Sequence, residues 1–143
     1  MVNFISRSWD KNAKKRYDNC PNEESLVNIK KMLYNYDNVI GEQKIIIVEG
    51  CFDCIKVKSV FSKVVAVCGT EVSLEQKRVL INLKAKNYYV MFDADTHITS
   101  TSKKAQDLAN YLSAFAVVKV INLPSSKDPG DLNRDEIGNL IGG

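Results

Sequence analysis

Residues 45–53 read Ile-Ile-Ile-Val-Glu-Gly-Cys-Phe-Asp. Four consecutive β-branched residues are typical of a strand that is buried on both faces, as the central strands of parallel sheets are. Gly50 then permits a tight turn, and the residues after it favour the start of a helix. Glu49 is therefore predicted at the carboxyl end of a central strand, where open α/β sheets bind their ligands. A charge in that position requires a partner, and a cation is the natural one.

The composition is that of a globular protein with one hydrophobic core. The chain has 143 residues, of which 45% are hydrophobic and 26% are charged, and this size suits a single domain. No apolar run approaches the roughly 20 residues of a membrane span, and the first ten residues lack the apolar centre of a signal peptide. We therefore expect an intracellular protein without a membrane partner, with free thiols at its four cysteines.

Positive charge is concentrated near the amino terminus, although the net charge is only +3. The first sixteen residues contain one acid, Asp10, and five basic residues: Arg7, Lys11, Lys14, Lys15 and Arg16. This segment is either an arm that binds nucleic acid or a solvated terminus. Apolar residues at helical spacing then predict an amphipathic helix over residues 24–36. We therefore divide the chain into a basic segment plus helix, residues 1–40, and a main domain, residues 41–143.

Strand and helix patterns alternate through the main domain. The predicted strands are residues 44–48, 64–67, 88–92 and 117–122. The predicted helices are residues 52–59, 73–86 and 102–115, with a short last helix capped by Asn133 and Glu136. The second helix begins with a capping box at Ser73-Leu74-Glu75-Gln76 and should bury Leu74, Val79, Leu80 and Leu83. Alternation of this kind predicts an α/β fold: a four-stranded, mainly parallel sheet flanked by helices, with right-handed crossovers.

Acidic residues end two of the predicted strands. Glu49 follows the first strand, and Asp93 and Asp95 follow the third. Because parallel strands all point the same way, these side chains emerge at one edge of the sheet. If the two strands are neighbours, about 4.8 Å apart, the three carboxylates converge and repel one another. A divalent cation resolves that repulsion, and oxygen ligands suit Mg²⁺, for which Mn²⁺ can substitute.

Four motifs in this order resemble those of the TOPRIM domain, which bacterial-type DNA primases, topoisomerases and small nucleases share. Glu49-Gly50-x-x-Asp53 matches the glutamate motif of that family, and Asp93-Ala94-Asp95 matches its Asp-x-Asp motif. Two further segments are similar to primase motifs: the turn Cys68-Gly69-Thr70, with Glu75-Gln76 after it, and the loop Lys127-Asp128-Pro129-Gly130-Asp131. The resemblance implies a TOPRIM-type, Rossmann-like fold, and the last two motifs favour a primase over a nuclease.

The resemblance also implies a role for each acid. Glu49 would act as a general base or position the metal, and Asp93 and Asp95 would be the main metal ligands. The rest of the implied site consists of Asp128 as a further metal ligand, Asp53 and Asp131 as secondary acids, and Lys127 as a contact for phosphate or nucleic acid. Mg²⁺ held there would bridge the triphosphate of an incoming nucleotide and help to activate the attacking 3′-hydroxyl.

The implied function is that of the catalytic domain of a primase, which makes RNA primers for DNA replication. Such an enzyme uses single-stranded DNA and NTPs, has a helicase or a separate primase subunit as a further partner, and works in the cytoplasm of a bacterial or phage-infected cell. Two alternatives stay open at this point. One is a free-standing, metal-dependent TOPRIM nuclease, and the other is a non-catalytic module for nucleic-acid binding or assembly.

Parts of the sequence depart from the family pattern. The family has a glycine soon after the second Asp of its Asp-x-Asp motif, whereas residues 96–101 contain none. Gly130 stands where many bacterial primases carry Asp. The similarity covers residues 44–132, and the forty residues before it are too few for the zinc-binding module and basic half of a primase. We therefore expect a fragment, a split subunit or a small relative.

Two other features have competing interpretations. Cys51 and Cys54 form a Cys-x-x-Cys pair between a strand and a helix, which is typical of redox sites. Cys20 and Cys68 form no second pair of this kind, so a four-cysteine zinc site is not expected. We favour buried small residues over a redox site. His97, the only histidine, lies two residues beyond Asp95 and either contacts phosphate or metal or is simply solvated; we favour the solvated side chain.

Overall fold

The computed structural model describes residues 3–21, 23–69, 71–93, 102–124 and 127–142. In chain order the strands are β1 (Ile5–Arg7), β2 (Tyr17–Asn19), β3 (Lys44–Val48), β4 (Val64–Ala66), β5 (Asn87–Met91) and β6 (Val117–Val120). The main sheet has the spatial order β4-β3-β5-β6, and all its strands are parallel. This architecture confirms the predicted four-stranded α/β fold.

Among the residues that the structure describes, four α-helices flank the sheet: α1 (Cys51–Lys58), α2 (Leu74–Asn82), α3 (Lys103–Leu112) and α4 (Arg134–Ile141). The predicted capping boxes begin α2 and α4. Helix α2 ends four residues before its predicted end, and Lys84 just after it has a left-handed φ of 55°. Leu74, at the first position of α2, is 48% exposed, so its predicted burial is wrong. Within the described ranges, no helix is both long and apolar enough to cross a bilayer.

Strand β3 is buried on both of its faces. Its residues Ile45, Ile46, Ile47 and Val48 are each 0% exposed, as four β-branched residues in a row predict. Alternate side chains point to opposite faces of a strand. Ile45 and Ile47 therefore join the hydrophobic cluster that includes α2 and α3, whereas Ile46 and Val48 join the cluster that includes α1 and α4. Full burial of one such side chain stabilises the fold by about 2 kcal/mol. Because its side chains enter both clusters, β3 is the central element of both layers.

The amino-terminal segment contains a small antiparallel hairpin, β1–β2, which the sequence pattern does not predict. Each strand has three residues, too few to show a clear alternation of apolar and polar side chains. The hairpin reaches α1 through aromatic contacts. Its Tyr17 ring lies 6.0 Å from the ring of Phe52, and the Arg7 guanidinium lies 5.6 Å and 5.9 Å from the centres of these two rings. Arg7 is thereby positioned beside the first turn of α1.

The helix predicted over residues 24–36 is wrong. This stretch, all of which the structure describes, instead contains a 3₁₀ turn at Ile29–Lys31 and leads into another at Tyr36–Val39. Leu33 is 2% exposed, whereas Leu26 is 79% exposed. The apolar residues therefore do not share one buried face, although their spacing is helical.

Pairing with the edge of the sheet replaces the predicted helix. Tyr34 exchanges backbone hydrogen bonds of 2.9 and 3.2 Å with Ala66 of β4. The buried Gln76 side chain reinforces this attachment, because its amide donates to the backbone oxygens of Met32 at 2.9 Å and Val67 at 2.7 Å. An edge strand presents unpaired N–H and C=O groups. Satisfying those groups outweighs the weak local preference of residues 24–36 for a helix.

Candidate metal centre at the carboxyl edge of the sheet

The acids predicted to form the site follow two neighbouring strands. The last residues of β3 and β5, Val48 and Met91, lie opposite each other in parallel register. Glu49 comes directly after β3, and Asp93 comes two residues after the end of β5, so both leave the sheet at its carboxyl edge. Asp95, the other acid of the Asp-x-Asp motif, lies outside the described residues, as does His97.

Asp53 joins this edge from the first turn of α1. Its carboxylate folds back over Gly50, where a Cβ atom would lie only 2.7 Å from Asp53 Oδ2. Real Cβ contacts are not that short, so a side chain at residue 50 would displace Asp53. The spacing of the Glu-Gly-x-x-Asp motif thus has a geometric explanation: the strand ends in one acid, and glycine leaves room for the next acid to approach the turn.

Asp128 reaches the same edge from the loop after β6. The 3₁₀ turn Pro129–Asp131 follows it and packs on α1. Asp128 Oδ1 is buried and has no hydrogen-bond partner among the described residues. A buried carboxylate oxygen without a partner is costly. A bound cation would remove that cost, so Asp128 fits the role of a metal ligand.

Asp53 and Asp93 are both partly buried and lie within reach of the charge of Asp128. Burial, followed by the charges of Asp93 and Asp128, raises the pKa of Asp53 from 3.8 to about 6. Partial burial, followed by the charge of Asp128, raises the pKa of Asp93. A nearby cation stabilises the ionised form of carboxylates whose pKa values are raised by burial and like charge. A hard divalent cation such as Mg²⁺ at this edge would therefore lower the cost of their negative charge.

Basic side chains of the protein also reach this edge. Lys104 Nζ, on α3, lies 3.5 Å from Glu49 Oε1. Lys56 and Arg7 both lower the pKa of Asp53, but burial and the neighbouring carboxylates have the larger, opposite effect. The negative charge of Glu49 is thus paired with Lys104. The charge of Asp53 is offset only in part by Lys56 and Arg7.

The described acids do not by themselves form a complete metal cage. Among the residues that the structure describes, no three His, Cys, Asp or Glu side chains are placed to hold one ion. Mg²⁺ commonly takes only one or two carboxylates and completes its coordination with water and substrate phosphates. Asp93 and Asp128 fit such an open site. A single ion shared by Glu49, Asp93 and Asp95 stays a prediction.

The loop before α4 is held by contacts within the protein. Lys127 Nζ lies 2.5 Å from Glu136 Oε1 on α4. Asp131 Oδ2 accepts a hydrogen bond from the Asp128 backbone N–H at 3.1 Å, and this bond is the main cause of the lowered pKa of Asp131. Both residues therefore help to shape the loop. The contact of Lys127 with phosphate and the role of Asp131 as a secondary acid stay predictions.

Gly130, the departure from the primase pattern, is explained by Lys56. A Cβ atom at Gly130 would lie 2.4 Å from Lys56 Cδ, so glycine allows the lysine stem to pack across the loop. The ammonium of Lys56 lowers the pKa values of Asp53 and Asp131. At this position, a close lysine contact replaces the carboxylate that many primases carry.

The cysteines differ from expectation. Cys51, at the start of α1, and Cys68, two residues after β4, form a disulfide with a Cα–Cα distance of 5.3 Å. The expectation of free thiols at all four cysteines is therefore wrong, because parallel β3 and β4 bring together residues that are 17 positions apart. Cys54 is free and buried, as expected for a packing residue, and burial raises its pKa to about 12. Cys51 and Cys54 are not a redox pair in this arrangement.

Two residues at this edge were not singled out from the sequence. Arg7 was visible only as part of a basic segment, and its place beside α1 depends on the unpredicted hairpin. Lys104 had a weak signal: helix α3 begins Lys-Lys-Ala-Gln, although acids are preferred at the start of a helix. A lysine at such a position suggests a contact outside the helix.

Fold and site together define a class of protein. A parallel sheet with helices on both faces is a Rossmann-like fold. In such folds ligands bind at the carboxyl edge of the sheet, which is where the acids of this chain lie. Within that class, a family model described as Toprim-like matches residues 46–133 of this chain. The chain belongs to the Toprim-like family, which confirms the resemblance seen in its motifs.

Similar proteins include DNA primases. The DNA primase of Deinococcus radiodurans is 29% identical in an alignment of 136 residues that covers 92% of this chain and 23% of that protein. A crystal structure of the Aquifex aeolicus primase, with its zinc-binding and RNA polymerase domains, shares 26% identity and superimposes with a TM-score of 0.77 over 98% of this chain and 36% of that one. A DnaG primase catalytic domain bound to single-stranded DNA has the same fold, with 20% identity and a TM-score of 0.71 over 94% of this chain and 44% of that one. The chain thus spans about a quarter of the length of the curated relatives that it matches.

Proposed function

We propose that this chain is the TOPRIM catalytic domain of a bacterial-type DNA primase and supports Mg²⁺-dependent synthesis of RNA primers for DNA replication. One observation carries the proposal. At the carboxyl edge of the sheet, a buried oxygen of Asp128 has no hydrogen-bond partner among the described residues, and the charge of Asp128 raises the pKa of Asp93. The primase relatives support this choice over the nuclease alternative.

In the proposed site, Asp93, Asp95 and Asp128 hold the metal, and Glu49 acts as a general base or positions the metal. Bound Mg²⁺ would neutralise the triphosphate and help to activate the attacking 3′-hydroxyl. The residues of this chain then supply orientation. Arg7, held against two aromatic rings beside α1, would counter the charge of the triphosphate as the nucleotide approaches the acids.

The partners follow from the same proposal. The substrates are NTPs and a single-stranded DNA template, in line with the DNA-bound catalytic domain that has this fold. The rest of a primase would complete the template channel, either as further residues of a longer chain or as a separate subunit, and a helicase would deliver the template. The cytoplasm of a bacterial or phage-infected cell is the corresponding location.

A nucleotide-binding assay tests this function on the chain itself. We expect a fluorescent NTP analogue to bind in the presence of Mg²⁺, to be released by EDTA, and to bind poorly to the Asp93→Ala variant. Asp107→Ala is the matched control, because Asp107 is an exposed aspartate on α3 and should not affect binding. NTP binding that does not depend on Mg²⁺ or on Asp93 would contradict the proposal.

Incubation with single-stranded DNA, NTPs and Mg²⁺ distinguishes the alternatives. Primers made by the chain, or by the chain restored to a full primase, support the proposal. Degradation of the DNA that is lost in Asp93→Ala would instead indicate a nuclease. No metal binding at all would leave only a non-catalytic module.

A further inference from the structure

Helix α3 begins with a charge pattern that is unfavourable for the helix itself. Its first turn reads Lys103-Lys104-Ala105-Gln106, and Ser102 at the cap position makes no side-chain capping bond. The amino terminus of a helix carries partial positive charge, so lysines there are destabilising. A sequence that breaks a local rule in this way commonly does so for a contact elsewhere.

Lys104 makes such a contact. Its ammonium lies 3.5 Å from Glu49 Oε1, across 55 positions of sequence. The Glu49 side chain is 24% exposed and the Lys104 side chain 40%, so the pair is partly shielded from water. Neighbouring Lys103 is exposed. The two lysines therefore differ in environment although they are adjacent in the helix.

We propose that the Lys104 ammonium is the resident counter-ion of the Glu49 carboxylate and competes with a divalent cation for it. This inference rests on the proposed function, in which Glu49 belongs to the metal site. Without metal, the lysine neutralises Glu49 and fixes its position at the end of β3. When a cation binds at this edge, it and the ammonium repel each other, so the ion pair loosens as the metal is bound. Lys104 is thus a positioning residue that sets how tightly the site holds metal.

Metal affinity measures this competition directly. Mn²⁺ titrations followed by electron paramagnetic resonance, with calorimetry as a check, would compare the wild type with Lys104→Met. Loss of the competing cation should tighten Mn²⁺ binding roughly two- to fivefold, the range expected for a partly exposed ion pair. Lys104→Arg keeps the positive charge and should restore an affinity close to that of the wild type.

Two further comparisons separate a specific ion pair from a general change in charge. Lys103→Met removes the same charge from the adjacent position and should change the affinity less than Lys104→Met does. In a Glu49→Gln background, Lys104→Met should have no effect, because the partner is gone. Thermal unfolding should show that Lys104→Met is folded and not less stable, since a lysine has been removed from a helix amino terminus.

The outcomes are distinct. An unchanged or weaker Mn²⁺ affinity in Lys104→Met, while the wild type binds Mn²⁺, overturns the inference and leaves the proposed function standing. If Lys104→Met raises Mn²⁺ affinity equally in the Glu49→Gln background, the inference is also overturned. The gain would then come from the general change in charge and not from the ion pair with Glu49. If neither the wild type nor any variant binds Mn²⁺, the proposed function fails and this inference fails with it.

Discussion

The carboxyl edge of the sheet contains two kinds of acid, and their environments differ. Glu49 has a lysine of the protein 3.5 Å away. By contrast, burial and the charges of neighbouring aspartates, Asp128 among them, raise the pKa values of Asp53 and Asp93. The first arrangement is compensated by the protein. The second remains costly while no cation is bound, so a divalent cation should bind next to the aspartates, with Glu49 at the margin of the site.

The largest expected effect is that of Asp93. Changing Asp93 to Ala removes a proposed direct ligand, so Mn²⁺ affinity should fall by about 100-fold. Loss of a residue that only supports a metal ligand costs up to about that much, and a direct ligand should cost no less. Electron paramagnetic resonance of free Mn²⁺ measures this loss. The same measurement on Asp107→Ala should match the wild type. If Asp93→Ala bound Mn²⁺ as tightly as Asp107→Ala does, Asp93 would not be a metal ligand, and the distinction between Glu49 and the aspartates would fail.

A smaller effect is expected from Asp128. Asp128→Asn keeps one oxygen but removes the charge, so Mn²⁺ affinity should fall about tenfold. Asp131→Asn is the matched control, because Asp131 is exposed and already accepts a hydrogen bond within its own loop. Affinity should change less than twofold there. A larger loss in Asp131→Asn than in Asp128→Asn would reverse the assignment of the two loop acids.

The smallest effect concerns stability and pH. The pKa of Asp53 is raised in the folded protein to about 6, so the folded state binds its proton more tightly than the unfolded state does. Stability from this group is present below pH 3.8 and is lost as the pH rises through 6. In EDTA, Asp53→Asn should therefore be more stable than the wild type at pH 7.5 by about 1 kcal/mol, once screening by solvent is allowed for.

Urea unfolding at pH 4 and pH 7.5 tests this prediction. The two proteins should be nearly equal at pH 4, and the variant should gain only at the higher pH. An Asp53→Asn variant that is less stable at pH 7.5 would show that Arg7 and Lys56 outweigh the repulsion from the neighbouring acids.

Much of the fold was predictable because its causes are local. Four β-branched residues specify β3, and the side chains that cap α2 and α4 lie within three residues of the backbone groups they satisfy. The strand-end acids were predictable for the same reason, since parallel strands need no further information to place their ends at one edge. Their spacing around Gly50 follows from a single turn.

The errors have non-local causes. Residues 24–36 have helical spacing, but the edge of β4 offers backbone partners that the sequence pattern does not reveal. The Cys51–Cys68 disulfide depends on strand order. Lys104, on the helix that follows β5, reaches Glu49 at the end of β3 because β3 and β5 are neighbours in the sheet. Sequence motifs therefore indicated the acids, while their counter-ions required the fold.

The most direct test of the central claim is anomalous diffraction from crystals soaked in Mn²⁺. We predict a peak at the carboxyl edge of the sheet, within coordination distance of the Asp93 and Asp128 carboxylates. A density map with no peak at these two aspartates, under conditions in which Mn²⁺ binds the protein in solution, would contradict the account.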